Sequence, residues 1–245
     1  LHYPLRRQRQ MCIRDSDATD LESLKKALSQ IDLAYYMLHA LMAPKNFEEL
    51  EEELARKFGE IAKASGVKRI VYLGGIASPD ENLSPHMSAR AKTGEILRAS
   101  GVPTIELRAG VVIGAGSASF EMLRHLTERL PIMVTPKWLK NRIQPIAIRD
   151  VLRYLVGSAT IDSTINKDFD IGGPEVFTYM EMMQIYASVA GLRKRIIIPL
   201  PVLTPKLASG WIGLVTPVPV TLAKRLVASL KHEVVARNDE IRKYV

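Results

Sequence analysis

The stretch VKRIVYLGG, residues 67–75, carries the pattern that decides the fold of this chain. Its centre, Arg69 to Leu73, is rich in apolar and β-branched residues over the length of one strand, and Gly74 and Gly75 follow directly. A strand that is apolar on both sides, rather than alternating with polar residues, is typical of a parallel sheet covered by helices on both faces. The stretch therefore predicts an internal strand of an α/β protein.

The segments on either side of this strand alternate between helical and strand patterns. Apolar residues that recur every three or four positions indicate helices, and short apolar runs bounded by Gly, Pro or Asp indicate strands. The predicted helices lie near residues 20–30, 47–64 and 88–100, and the predicted strands near residues 32–38, 69–73 and 104–112. This order predicts a doubly wound parallel sheet.

Three helix starts are marked by local sequence. Thr19 to Glu22 and Thr178 to Glu181 have the spacing of a capping box, in which a hydroxyl and a carboxylate each accept a hydrogen bond from the other residue's backbone. Ser84 and Pro85 suit the N-cap and the first helical position.

Residues 196–219 are apolar and contain five prolines, which forbid one long helix. We expect this segment to form a lobe over the carboxyl edge of the sheet. A segment that contacts a membrane surface is the less favoured alternative, since exposed apolar patches mark interaction sites.

The composition narrows the classes of function. The chain has 245 residues and a net charge of +8, of which residues 1–16 contribute +3. The remaining charge is spread along the chain, so no nucleic-acid partner is expected. The single Cys excludes an internal disulfide and a cysteine-based zinc site. The lack of a disulfide favours a reducing compartment, so we expect a cytoplasmic location. The five His residues are scattered, so no metal site is predicted.

Residues 1–16, LHYPLRRQRQMCIRDS, have neither helical nor strand periodicity. The string MCIRDS resembles translated sequencing-adapter read-through, so we interpret this segment as foreign to the protein. A disordered basic arm is the alternative.

Six segments resemble the short-chain dehydrogenase/reductase superfamily, in its atypical and extended, NmrA-like, NAD(P)-binding branch. They are DATDLESL (17–24), DLAYYMLHA (32–40), VKRIVYLGG (67–75), GEILRASGVPTIELRAGVVIG (94–114), PIAIRDVLRYL (145–155) and FDIGGPEVFTYMEMM (169–183). Together they span most of residues 17–245 in the order of the family. The resemblance implies a Rossmann-like fold, NAD or NADP as cofactor, and a small-molecule substrate of unknown identity.

One feature of the family is absent from this sequence. The family opens with a strand, a TGATGxxG loop and a helix that hold the cofactor's pyrophosphate, and no such loop occurs here. We therefore expect a fragment that lacks the first strands and binds the cofactor weakly. Its expected parts are a foreign or disordered segment at 1–16, a partial NAD(P)-binding domain at 17–160 and a C-terminal substrate-side lobe at 161–245.

The resemblance also assigns candidate cofactor contacts. Asp17 and Ala18 match a pair that meets the adenine, although Asp17 could instead serve the start of a helix. The segments that follow the next three strands match the family's ribose and nicotinamide borders. These candidates are Leu38, His39 and Ala40, then Leu73, Gly74 and Gly75, and then Arg108, Ala109 and Gly110. For His39, a plain hydrogen bond to a backbone carbonyl is the favoured alternative.

The catalytic residues of the family are not matched. Its usual Tyr-x-x-x-Lys occurs at none of the eight Tyr, and the corresponding positions hold Met87 and Ala91. His86, one residue out of register, is the candidate proton donor, and a helix-entry role is its alternative. Lys92 is the candidate for catalysis and for a ribose or phosphate contact, and its alternative is a solvated surface lysine.

Two hypotheses about function remain open on this basis. The first is an NAD(P)-dependent oxidoreductase with non-standard catalytic residues. The second is a non-catalytic NAD(P)-binding protein, either a redox sensor or a structural subunit of a larger assembly. The two share one fold, so the fold cannot separate them.

Overall fold

The computed structural model describes residues 16–40, 46–77, 83–200 and 215–245. The predictions for residues 1–15, and for residues 201–214 of the proline-rich segment, lie outside the described residues.

The described residues alternate between helices and strands along the chain. The helices are α1 (Leu21–Leu28), α2 (Phe47–Ala64), α3 (Pro85–Ala99), α4 (Ala118–Arg129), α5 (Ile148–Gly157), α6 (Tyr179–Val189) and α7 (Val220–Ser229). The strands are β1 (Leu33–Tyr36), β2 (Arg69–Gly75), β3 (Thr104–Ala109), β4 (Val112–Ile113), β5 (Ile132–Pro136), β6 (Arg142–Ile143), β7 (Ile146–Ala147), β8 (Lys167–Ile171), β9 (Phe177–Thr178) and β10 (Ile196–Leu200). Short 3₁₀ helices cover Lys137–Lys140, Ser158–Thr160 and Glu240–Lys243.

The main sheet has four parallel strands in the order β1-β2-β3-β8. Val71 on β2 lies opposite Tyr35 on β1 and Ile105 on β3, and Ile105 lies opposite Lys167 on β8. Three two-stranded pairs lie outside this sheet: β5 with β10 and β4 with β7, both parallel, and β6 with β9, antiparallel. The predicted parallel α/β architecture is therefore confirmed.

Both faces of β2 are covered, as its apolar sequence predicts. Ile70 and Tyr72 pack into a cluster with residues of α1, α2 and α3. Val71 points the other way and packs with residues of α5 and β8. All three side chains are fully buried, and each such burial stabilises the fold by about 1.5–3 kcal/mol.

Two of the three predicted helix starts are confirmed. The Thr178 hydroxyl accepts a hydrogen bond from the Glu181 backbone at 3.2 Å, and the Glu181 carboxylate accepts one from the Thr178 backbone at 2.7 Å. Ser84 caps α3 through a hydrogen bond from the Met87 backbone.

The capping box predicted at Thr19 to Glu22 is wrong by one residue. Asp20 is the N-cap of α1, since its carboxylate accepts a hydrogen bond from the Glu22 backbone at 3.1 Å. Thr19 is held instead by the Asp17 carboxylate, which accepts bonds from the Thr19 backbone and hydroxyl.

The main sheet continues past residue 160, where the substrate-side lobe is expected to begin. Its fourth strand, β8, comes from the 161–245 range and pairs with β3. This part of the range belongs to the sheet, and the division of the chain at residue 160 stays a prediction. Among the described helices, none is both long and apolar enough to cross a membrane.

Candidate functional site

A cleft opens where β2 and β3 end. The two strands are parallel, with Gly75 opposite Ala109, so their carboxyl ends meet at one edge of the sheet. This is the edge at which open α/β sheets bind ligands. The cleft has a volume of about 100 Å³. It is lined by Gly75, Ile76, His86, Met87, Ala109, Gly110, Val111, Ser119, Tyr179, Leu226, Ser229, Leu230 and Val234.

One wall of the cleft is held in place by Gln144. The Gln144 backbone donates a hydrogen bond to the Val234 carbonyl, and the side-chain oxygen accepts one from the Ala236 backbone, both at 2.9 Å. Gly110 allows this wall to approach, because a Cβ there would lie 3.0 Å from Val234 Cγ1 and 3.2 Å from the Gln144 carbonyl. The C-terminal segment therefore forms part of the cleft through contacts with the end of β3.

His86 lies in the first turn of α3, half-buried at the mouth of the cleft. Burial, together with the nearby charges of His39 and Arg90, lowers the pKa of His86 to about 4. Its ring centroid is 5.3 Å from that of His39, and its Nδ1 is buried without a hydrogen-bond partner among the residues described. The imidazole is therefore uncharged at neutral pH, because burial disfavours the charged form.

Behind the two histidines lies the carboxylate of Glu51, a residue of α2 that is only 3 % exposed. Glu51 accepts a hydrogen bond from the Ala40 backbone at 3.0 Å and pairs with the His39 ring. Burial alone would raise the pKa of Glu51, but the hydrogen bond and charge of His39 more than offset it, and the net pKa is lowered. The partner of His39 is thus a carboxylate rather than the backbone carbonyl considered from the sequence.

Arg90 lies one turn after His86 on α3, as the sequence spacing indicates. Its guanidinium lies 4.8 Å from the centroid of the Tyr72 ring and donates a hydrogen bond to the Leu73 carbonyl. Arg90 therefore attaches α3 to the end of β2.

Of the candidate residues from the sequence, the structure brings four together in the cleft. They are Gly75, His86, Ala109 and Gly110. Leu38, His39 and Ala40 follow β1 behind His86, where His39 and Ala40 contact Glu51. The roles of all these residues in ligand binding stay predictions.

Other candidates are engaged elsewhere. Lys92 is exposed and pairs with Glu95 at 3.0 Å on the surface of α3. Gly74 faces Glu106, since a Cβ at Gly74 would lie 2.9 Å from the Glu106 carboxylate. The Arg108 guanidinium is held between Asp168 and Asp170 on β8.

Asp17 and Ala18 lie just before α1, outside the cleft. Asp17 is exposed, and its hydrogen bonds from Thr19 lower the pKa of its carboxyl. Leu73 is half-buried, and its carbonyl is the acceptor for Arg90.

Sequence reasoning missed several polar residues of this region, among them Tyr179 and Glu51. Tyr179 begins α6 and follows the capping Thr178, so its position looked like a helix start rather than a cleft wall. Glu51 carried a usable signal, because it lies four residues after Phe47 on the apolar face of α2. An acidic residue on such a face is unusual unless it is paired.

The state of His86 can be measured directly. We expect the His86 resonance in an NMR pH titration to have its midpoint near pH 4, because burial and neighbouring cations oppose protonation. The unfolded chain takes up this proton near pH 6.5, so the contribution of His86 to stability falls as the pH drops from about 6.5 to about 4. Loss of one resonance in His86→Gln identifies the signal. A midpoint above pH 6 would contradict the buried, uncharged state.

In the part of the chain that the structure describes, no three His, Cys, Asp or Glu side chains are grouped to hold a metal ion.

No protein-family model matches the chain.

Two curated relatives match about three quarters of the chain. An Arabidopsis thaliana protein, NADH dehydrogenase [ubiquinone] 1 alpha subcomplex subunit 9, mitochondrial, is 22% identical over 192 residues, which cover 76% of this chain and 48% of that protein. A Neurospora crassa protein, the mitochondrial NADH-ubiquinone oxidoreductase 40 kDa subunit, is 20% identical over 193 residues, which cover 77% of this chain and 50% of that protein. The chain thus spans about half the length of the curated relatives it matches.

Solved structures share the fold over nearly the full length of this chain. Triphenylmethane reductase from Citrobacter sp., complexed with NADP(H), has a TM-score of 0.72 at 21% identity, covering 95% of this chain and 78% of that one. A nucleoside-diphosphate-sugar epimerase from Staphylococcus aureus has a TM-score of 0.73 at 16% identity, covering 99% of this chain and 82% of that one. The Rossmann-like fold expected from the sequence is confirmed. The cofactor class expected from the sequence is the class that the reductase binds.

The expectation of a cytoplasmic location is wrong. It rested on the single Cys, which indicates only a reducing environment. Both curated relatives are mitochondrial proteins, which overturns it.

Proposed function

We propose that this chain, which has the fold of the short-chain dehydrogenase/reductase superfamily, binds the nicotinamide end of NAD or NADP in the cleft beyond β2 and β3. The single observation that supports this most strongly is the open space at Gly75. A Cβ built at Gly75 would find only the Ala109 carbonyl, at 3.9 Å, so this glycine leaves room in the cleft rather than serving a packed contact. A flat ring can therefore lie against the backbone there.

The other cleft residues suit the same ligand. Ile76, Met87 and Val111 are buried apolar side chains, which suit the face of the nicotinamide ring, a ring that is uncharged in the reduced cofactor. Ser119 adds a hydroxyl at the cleft wall, where the amide group of a nicotinamide needs hydrogen-bond partners. The bound dinucleotide would supply or accept a hydride, and the chain would position its ring and exclude water.

Proton transfer is the weak step in this cleft. His86 is the candidate donor, but with a pKa of about 4 only about one molecule in a thousand carries the proton at pH 7. Burial also raises the pKa of Tyr179. A general acid works best with a pKa near the working pH. We therefore propose cofactor binding as the primary activity, with reductase turnover slow at neutral pH.

A second candidate function follows from the curated relatives. Both are subunits of mitochondrial NADH–ubiquinone oxidoreductase, which favours a non-catalytic NAD(P)-binding subunit of such an assembly, located in mitochondria. Native gel separation of membranes from the source organism, followed by detection of this chain, tests it. Migration with the NADH-oxidising complex is expected, and migration only as a free protein would count against it.

Binding is tested by calorimetric titration of the full chain with NADPH and with NADH up to millimolar concentration. We expect saturable binding of at least one of them. Gly75→Val should weaken it by at least tenfold, because the new side chain occupies the space for the ring.

Ala99→Val is the matched control, since it adds the same kind of bulk at the exposed end of α3. It should leave the affinity unchanged. Equal affinities of the Gly75→Val variant and the parent chain would refute the placement of the ligand, and no saturable heat with either dinucleotide would refute the function.

A further inference from the structure

The two-stranded sheet of β5 and β10 has one apolar face that no described residue covers. Successive residues of a strand point to opposite sides of the sheet, and Met133 and Thr135 of β5 point inward and are buried. Residues on the outward side of a sheet are ordinarily polar, but the exposed positions of both strands here hold large aliphatic side chains. We call this set the aliphatic face: Ile132, Val134, Ile196, Ile198 and Leu200.

The five side chains form one continuous patch. The two strands are parallel, and their register places Ile196 opposite Ile132 and Ile198 opposite Val134, so these side chains are neighbours across the pair. Ile132 and Ile196 are 58 % and 56 % exposed. Single exposed apolar residues are ordinary, but a contiguous apolar patch marks an interaction site.

Basic residues lie at both ends of this patch. Lys137 follows β5 directly, and Arg193 and Lys194 come shortly before β10. Because the strands are parallel, Lys137 lies beyond one end of the aliphatic face, and Arg193 and Lys194 lie beyond the other. All three side chains are exposed, and none of them forms an ion pair with a residue that the structure describes.

Acidic residues are missing from the segments that form this surface. The sequence holds no Asp or Glu between Glu128 and Asp150, and none between Glu181 and Glu233. The first interval contains β5 and the second contains β10. The segments that carry the aliphatic face therefore contribute positive charge only.

This combination fits the surface of an anionic membrane. Proteins attach to a bilayer surface by aliphatic side chains that enter the boundary between headgroups and acyl chains, with Lys and Arg beside them for the anionic headgroups. A second copy of the chain fits less well, because a two-fold interface through this face would bring basic residues of both copies together. The face also lacks the aromatic side chains that are enriched at the centres of protein interfaces.

We infer that the aliphatic face is a docking surface for an anionic lipid bilayer, with Lys137, Arg193 and Lys194 in contact with the headgroups. The contact is made by side chains at the bilayer surface and needs no membrane-spanning segment. It gives physical support to the membrane contact considered for residues 196–219, and it adds β5 as the second half of the surface. The proposed dinucleotide site is separate, because none of the residues that line the cleft belongs to the aliphatic face.

Flotation of the full chain with lipid vesicles tests the inference. Vesicles of phosphatidylcholine alone are compared with vesicles in which one third of the lipid is phosphatidylglycerol. We expect the chain to float with the anionic vesicles and to bind the neutral ones at least tenfold more weakly, since each basic side chain at the surface contributes about fivefold. Binding to the anionic vesicles should fall as the salt concentration rises.

A pair of substitutions tests the aliphatic face itself. Ile132→Thr with Ile196→Thr removes apolar groups from two opposite positions and keeps the β-branched shape that suits a strand. We expect it to weaken binding to the anionic vesicles at least tenfold. Leu152→Thr with Val156→Thr is the matched control, because these two residues are exposed on α5, outside this sheet, and it should leave binding unchanged. Unfolding midpoints within a few degrees of the parent show that each variant is folded.

A second pair tests the contact with the headgroups. Lys137→Gln with Lys194→Gln lowers the net charge by two and should weaken binding to the anionic vesicles at least tenfold. Lys25→Gln with Lys68→Gln lowers it by the same amount at exposed lysines elsewhere, and should have little effect. Equal losses in the two lysine pairs would show attraction by net charge alone and would overturn the inference.

Two further results would also overturn it. One is a chain that stays at the bottom of the gradient with the anionic vesicles, and the other is unchanged binding in Ile132→Thr with Ile196→Thr. A chain that fails to float and sediments as a dimer, which the same isoleucine pair dissociates, would assign the aliphatic face to a second copy instead.

Discussion

Replacing Asp170 with Asn is expected to lower the free energy of unfolding by about 3 kcal/mol. The Asp170 carboxylate on β8 is fully buried and accepts hydrogen bonds from Arg108 Nε at 2.8 Å and from the Arg237 backbone at 3.0 Å. It also accepts one from Arg237 Nε at 3.1 Å. Removing its charge leaves two guanidinium groups without their shared counter-ion, and one of them, Arg108, is largely buried. The same contacts attach the segment after Val234, a cleft wall, to the sheet.

The pH dependence of stability should change with this substitution. Burial alone would raise the pKa of Asp170, but the hydrogen bonds from Arg237 and the charge of Arg108 more than offset it, and the net pKa is lowered. The unfolded state therefore binds this proton first as the pH falls, so the stabilisation is present above the usual Asp pKa and is lost below it. In Asp170→Asn, this part of the acid destabilisation should disappear.

Asp168→Asn is the matched control. Asp168 contacts the same Arg108 at 2.6 Å but is one-third exposed, so its loss should cost about 1 kcal/mol or less. Urea unfolding of the three chains gives the comparison. Equal costs for the two substitutions would show that the buried network on β8 is not what stabilises this edge of the sheet.

Gly94→Ala should destabilise the chain by about 2 kcal/mol, although Ala is the better helix former. Glu106 on β3 is fully buried and pairs with Arg98 on α3. A Cβ at Gly94 would overlap the Glu106 carboxylate, and a Cβ at Gly74 would lie 2.9 Å from it. The two glycines therefore make the room in which this buried ion pair forms between α3 and the sheet.

A double-mutant cycle identifies the cause. In the Glu106→Ala background the overlap is gone, so Gly94→Ala should become stabilising by about 0.5–1 kcal/mol, the usual gain in a helix interior. Thermal or urea unfolding of the four chains measures the change of sign. A destabilisation of equal size in both backgrounds would place the cause in the helix itself rather than in the contact with Glu106.

Gly74 and Gly75, the last two residues of β2, show how much a sequence pattern can predict. Two adjacent glycines at the end of a strand indicate that another group approaches the backbone closely. In the structure, one of the two positions has such a neighbour and the other leaves space for one. The approaching group at Gly74 is the Glu106 carboxylate, while Gly75 opens to the cleft. The sequence does not show whether Gly74 or Gly75 lies beside a ligand. Neighbouring residues on a strand point to opposite faces of the sheet, so only one of the two can do so.

The position of the cleft at the carboxyl edge of the sheet was predictable, but the polar side chains around it were not. His86 was found because it lies one position from where the family has its Tyr. Lys92 was chosen for the same reason, but it lies on the exposed surface of α3, where it pairs with Glu95. A shift of a few positions along a helix turns a side chain from one surface to another, since each residue adds about 100° of rotation.

The sequence by itself determined the alternation of helices and strands in this protein and the parallel arrangement of its main sheet. Apolar runs such as Arg69 to Leu73, and helix starts such as Ser84 with Pro85, act through residues only a few positions apart, so they can be recognised locally. Only the tertiary structure decided what stands around the cleft. Tyr179 and Val234 lie far along the chain from Gly75, and they reach the cleft because Gln144, Gly110 and the β3–β8 pairing bring their segments there. Contacts between such distant segments depend on the packing of whole helices and strands, which the spacing of residues along the chain does not specify.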